Sequence, residues 1–221
     1  MRIRIWNYRP NLMFTITVLI FLMGCSSAYY GTMEKLGYHK RDLMVSRVES
    51  ARDAQQEAKE QFESALEKFS HVLKVDGGDL EEKYEQLKTA YDNSNARAET
   101  VRDRIEAVED VSEALFDEWQ TELDQYASDS LRRSSARKLR QTKRQYTQLI
   151  GAMKRAEKKM EPVLSAFHDQ VLFLKHNLNA RAIASLQTEL VSVEAEVNSL
   201  IRDMEASIKE ADAFIGAMAK E

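Results

Sequence analysis

Residues 80–119 read LEEKYEQLKTAYDNSNARAETVRDRIEAVEDVSEALFDEW. Within them Leu80, Tyr84, Leu87, Tyr91, Ser94, Ala98, Val101, Ile105, Val108, Ser112, Leu115 and Trp119 recur at alternating spacings of four and three. That repeat, about 3.5 residues per turn, is the signature of a seam between supercoiled helices. Tyrosines and a tryptophan on such a stripe belong to a core rather than to a cofactor box. Predicting a helix over 79–126 therefore also predicts that it has partners.

Those partners lie on either side. Ala51, Ala58, Phe62, Ala65, Phe69 and Val72 recur at spacings of three, four or seven and place a helix over about 26–75. Leu139, Thr142, Tyr146, Leu149, Met153, Ala156, Met160, Val163, Phe167, Val171 and Leu174 place another over 130–176. Pro162 falls inside it and lacks an amide hydrogen, so a kink is expected there. Ile183, Leu186, Leu190, Val193, Val197, Leu200, Met204, Ile208, Ala211, Ile215 and Met218 place a fourth over 180–220.

Turn chemistry separates the runs. Asp76, Gly77, Gly78 and Asp79 offer positive-φ positions, then an N-cap at Asp79 with Glu82 three residues on as a capping-box partner. Ala127, Ser128, Asp129 and Ser130 supply the next cap. Asn177, Leu178 and Asn179 contain no Gly or Pro, but asparagine serves at both helix ends. Length decides that last case. Runs of 50, 48, 47 and 41 residues match one another if the chain turns there. Without that turn a helix of about 90 residues would extend ~135 Å with half its apolar stripe uncovered. The expected fold is all-α, an antiparallel up-down-up-down four-helix bundle about 70 Å long.

The amino-terminal part is different. Arg2, Arg4 and Arg9 are basic, no acid occurs in 1–24, and 12–23 is an apolar run of 12 residues. A charged segment followed by a short apolar one is the pattern of a secretory signal. As a helix the run reaches ~18 Å, against the ~30 Å of a bilayer core. Leu22, Met23, Gly24 and Cys25 follow, and Cys25 is the single cysteine. The stretch resembles bacterial lipoprotein precursors, which place a small residue before the cysteine and a leucine two positions further back. That resemblance implies a signal peptide over 1–24, cleavage before Cys25 and acylation of Cys25 with palmitate-type chains. Ser26 stands where such lipoproteins carry an aspartate for inner-membrane retention. The resemblance therefore implies the periplasmic face of the outer membrane, with the inner membrane as second choice. An uncleaved anchor over about 11–30 is the competing reading. Tyr29 and Tyr30 sit next to the anchor, where amphipathic rings suit the headgroup zone or ordinary packing.

Loss of 1–24 removes three arginines and no acid, taking the net charge from −4 to −7. That balance, with export, argues against nucleic acid as a partner. An acylated Cys25 leaves no thiol for a disulfide or a thiolate metal site. His39, His71, His168 and His176 are scattered. His168 and His176 lie about 80° apart around a helix, a poor metal pair. Neither Glu-x-x-His nor a glycine-rich phosphate loop occurs. No catalytic, cofactor or metal residues are expected, and the chain is not expected to be an enzyme.

Charge is uneven. Residues 79–124 hold 15 acids and 5 bases, whereas 127–160 hold 11 bases against Asp129 and Glu157. Arg137 and Lys138 are expected level with Glu118 and Trp119, and Lys143 with Glu113, so most of these bases should face acids of the preceding helix. The alternative use is a membrane. If the first helix leaves the bilayer, the second returns, and Arg132, Arg133 and Arg137 become candidate membrane-surface contacts.

Ser-Ala-Tyr-Tyr from Ser27, Gly-Tyr-His-Lys-Arg-Asp from Gly37, Asp-Gly-Gly-Asp-Leu from Asp76 and Ala-Leu-Phe-Asp-Glu-Trp from Ala114 carry a second resemblance. Met-Glu-Pro-Val-Leu from Met160 and Phe-Leu-Lys-His-Asn-Leu-Asn-Ala-Arg-Ala-Ile from Phe173 belong with them. The chain resembles a bacterial family designated domain of unknown function twenty-nine fifty-nine, which implies no activity. The expected function is an envelope lipoprotein acting as helical scaffold or spacer, with an envelope protein met at the distal turns. The alternative is a peripheral membrane-binding or membrane-shaping module using a basic face. Self-association is left open.

Overall fold

The computed structural model describes residues 39–74, 79–177 and 180–219. The expected signal peptide, Cys25, Tyr29, Tyr30, the Asp76 to Gly78 turn and Leu178 with Asn179 lie outside the described residues. The described chain forms α1 (Lys40–Lys74), α2 (Leu80–Glu122), a 3-10 turn (Leu123–Gln125), α3 (Asp129–His176) and α4 (Ala180–Ala219). The 48 residues of α3 span ~72 Å at 1.5 Å per residue.

Each helix packs on two others: α1 on α2 and α4, and α3 on α2 and α4. The result is the antiparallel up-down-up-down bundle that the matched runs predict. The turn between α3 and α4 is therefore real. Asn177 ends α3 with its amide on the Leu174 carbonyl and its side-chain Nδ2 donating to the Phe173 carbonyl at 2.9 Å.

The other ends also follow local chemistry. Asp79 caps α2 by accepting from the Glu81 amide at 2.9 Å. Glu82 does not complete the capping box; its carboxylate instead accepts from Gln86 one turn on. Ser128 caps α3 through the Leu131 amide. α2 stops at Glu122 rather than near 126, and its last turn tightens into the 3-10 segment, where Leu123 is buried. α3 continues as helix through Pro162. The ring is exposed, and the carbonyl it frees belongs to Lys158, itself on the wet side.

The predicted stripes form the core, with Tyr84, Tyr91, Trp119 and Tyr146 at its edge and with the buried Ser207 in place of the half-buried Ile208, but the core is wider than a two-stranded seam. Val111 and Phe116 on α2, Leu164 on α3 and Phe214 on α4 are buried beside them. A helix with neighbours on two sides and a third across the centre needs a broad apolar face. At the centre Phe167 of α3 is fully buried, its ring 4.4 Å from Phe69 and 6.4 Å from Phe62 of α1. Offset stacking of this kind adds to the area the rings bury.

Ion pairs line the seams and fix their register. Arg52 meets Asp212 at 3.0 Å and Lys59 meets Glu205 at 3.1 Å between α1 and α4. Lys40 meets Glu118 at 2.7 Å, and Arg97 meets Glu57, between α1 and α2. Arg102 meets Glu161 at 2.7 Å and Lys154 meets Glu109 at 2.8 Å between α2 and α3. Lys159 meets Asp203 at 2.8 Å between α3 and α4. Exposed pairs contribute little each, but a slipped register would lose all of them together.

Candidate functional site

Topology sorts the bundle into two ends. One holds the start of α1, the end of α2, the start of α3 and the end of α4. Contacts tie it together: Lys40 to Glu118, Arg41 to the Met218 carbonyl, and Trp119 Nε1 to Ser135 Oγ at 2.8 Å. The other end holds the end of α1, the start of α2 and the turn from α3 to α4; there Gln187 donates to the Leu73 carbonyl.

Arg132, Arg133 and Arg137 lie at the first end, near the start of α3. Arg132 is half-exposed and pairs with Asp129 of its own first turn at 3.0 Å. Arg133 and Arg137 are exposed and make no ion pair among the described residues. For Arg133 and Arg137 this corrects the expectation that the bases of this stretch face acids of α2. Lys143 meets not Glu113 but the ring of Phe116, its Nζ 5.5 Å from the centroid. The cause is side-chain direction. On both helices side chains lean toward their own N-termini, so contacts across an antiparallel pair fall nearer the turn on α2 than equal backbone heights suggest.

The bases instead form a row. Arg133, Arg137, Arg140, Arg144, Arg155 and Lys158 are all exposed and lie within a ~60° arc of α3. The neighbouring helix carries the opposite row: Asp103, Glu106, Asp110, Glu113 and Asp117, exposed within a ~80° arc of α2. None of these eleven groups makes an ion pair among the described residues. Periodicity located the arginines, but only burial and pairing distinguish this outward row from the seam pairs of Lys154 and Lys159.

Other polar features are local. His168 packs on Tyr91, ring centroids 5.2 Å apart. Lys154 is raised above the ordinary lysine pKa by its hydrogen bond to Glu109. Burial pushes the Tyr146 phenol up, with Ser112 pulling it the other way. Between α3 and α4, toward the far end, a groove of about 530 Å³ is lined by Ala166, Gln170, Phe173, Leu186, Glu189 and Val193. Gln170 is 4% exposed, and neither atom of its amide has a partner among the described residues. Sequence reading passed over it, because a glutamine on a stripe looks like a surface residue. Among the described residues no group of three His, Cys, Asp or Glu side chains could hold a metal ion, and no helix is long and apolar enough to cross a membrane.

A sequence model of the family described as protein of unknown function (DUF2959) matches residues 29–218. The chain belongs to that family. The match spans all four helices, so the bundle is the family's domain in this chain. Neither the curated proteins nor the solved structures provide a match.

Proposed function

We propose that the chain is an envelope lipoprotein, a helical rod held at a membrane through acylated Cys25 and serving as scaffold or spacer without chemistry of its own. The observation that carries this reading is a coincidence of ends. The chain arrives from Cys25 at the start of α1, 15 residues after the cysteine. That end also carries Arg132 and Arg133. A tether of several acyl chains is a stable anchor where one chain would be marginal, and exposed arginines near an anionic surface each add about 1 kcal/mol.

On this reading the bilayer is the first partner, and the far end, at the links 75–79 and 177–179, is free to meet an envelope protein. Ser26 supports the periplasmic face of the outer membrane over the inner membrane. No catalytic, cofactor or metal role is assigned to any side chain. The test is metabolic labelling with an alkyne fatty acid in cells expressing the chain and Cys25→Ser. Label on the wild-type chain and none on the variant supports the tether; equal label on both, or on neither, removes it.

A second reading is a peripheral module that lies along a membrane on its basic face. The exposed arginine row favours it. The acid row beside it opposes it, since an anionic bilayer laid against α3 would also meet α2. Tubulation of anionic vesicles by the bundle would revive it.

A further inference from the structure

We propose that the α2 and α3 faces form a self-complementary surface that joins two copies of this chain side by side and parallel. The register is set by pairs already described. Lys154 meets Glu109, Arg102 meets Glu161, and Tyr146 packs edge-on to Phe116 with centroids 5.4 Å apart. Carried along both helices, that register puts Arg144 in reach of the height of Asp117, Arg155 of Glu106 and Lys158 of Asp103. Within one chain these groups point outward and do not meet.

Symmetry then decides the partner. A two-fold axis parallel to the rod places α3 of each copy against α2 of the other at the same height, so every base row meets an acid row, twice. An axis across the rod would instead bring α2 onto α2 and α3 onto α3, like charge on like charge. The charge pattern thus selects the parallel pair, the orientation that two tethers in one membrane would enforce. The pairing rests on the two rows and stands whether or not Cys25 carries lipid.

Gly151 supports close approach. It lies in the same arc of α3, at the height of Asp110. Among the described residues a Cβ built there would meet only Arg155 Nη1, at 3.6 Å. Nothing among the described residues requires the missing side chain, although glycine inside a helix is unfavourable. A second surface at that height gives it a use.

The test uses full chains carrying two different tags, co-expressed and extracted in detergent. Copies captured through one tag should bring down the other at ~50 mM salt and lose it at least tenfold by ~500 mM. Arg144→Glu, Arg155→Glu and Lys158→Glu together should abolish capture of like by like. So should Asp103→Lys, Glu106→Lys and Asp117→Lys together. Mixing the two triple variants should restore wild-type capture, because each contact again joins opposite charges; restoration also shows that both variants fold. Capture that survives either reversal, or a mixture that fails to restore it, overturns the proposal. So does absence of wild-type capture; if the arginine reversal then abolishes binding to anionic vesicles, the row belongs to lipid.

Discussion

Replacing Gln170 with leucine should make the bundle more stable. The side chain is 4% exposed, and both its Nε2 and its Oε1 lack partners among the described residues. A buried polar group without a hydrogen bond costs roughly 1–3 kcal/mol. Two such groups on one amide would give about twice that, but Gln170 borders a groove into which it can partly relax, so the lower figure applies. Leucine has similar volume and adds apolar contact with Leu186 and Val193 on the groove wall. The expected gain is ~1–3 kcal/mol, which for a domain of this size raises Tm by roughly 3–9 °C. Thermal melts followed at 222 nm, with urea midpoints as a check on m, measure it. Gln55→Leu is the control. Gln55 accepts from Ser207 Oγ at 2.8 Å, so its replacement leaves that hydroxyl buried and orphaned, and no gain is expected. If Gln170→Leu instead lowers Tm, the amide is paired in solution and the reasoning from its isolation is wrong.

Phe167→Ala removes the ring stacked between Phe62 and Phe69 and should cost ~3–5 kcal/mol; a loss under 1 kcal/mol in urea titration would mean the centre collapses around the gap. Changing Arg132, Arg133 and Arg137 together to glutamine should weaken binding of the bundle to anionic vesicles by tenfold or more in co-sedimentation, at roughly 1 kcal/mol per arginine, with no effect on neutral vesicles. Tyr146 predicts a pH effect. Its folded-state pKa is raised, so above the ordinary tyrosine value of ~10 the unfolded chain gives up its proton first and stability falls as pH rises. Tyrosinate absorbance should show one late-titrating phenol that Tyr146→Phe deletes; an unchanged titration curve would contradict the burial.

Much of the fold is legible from spacing alone, because a bundle repeats one rule along its whole length. The residues from Leu80 to Trp119 that recur at fours and threes are the inner face of α2, and Phe69, Phe167 and Leu200 are core as their stripes require. Two things were not legible. The second row of core residues, such as Val111 and Phe214, follows from having two lateral neighbours and a third helix across the centre, which a pairwise seam does not show. The register between α2 and α3 follows from the lean of side chains, so Lys143 reaches Phe116 rather than Glu113. Charge counts show that 127–160 is basic, but they cannot separate Lys154, bonded to Glu109, from Arg155, which faces outward one residue later.

The proposed function turns on Cys25 becoming a lipid-bearing terminus that holds this rod at a membrane. Mass spectrometry of the amino-terminal peptide, taken from protein extracted from the membranes of cells that express it, tests it most directly. The proposed tether requires a peptide that begins at Cys25 and carries the added mass of acyl chains. A peptide that contains Leu22, Met23 and Gly24, or one with an unmodified Cys25 thiol, would contradict it.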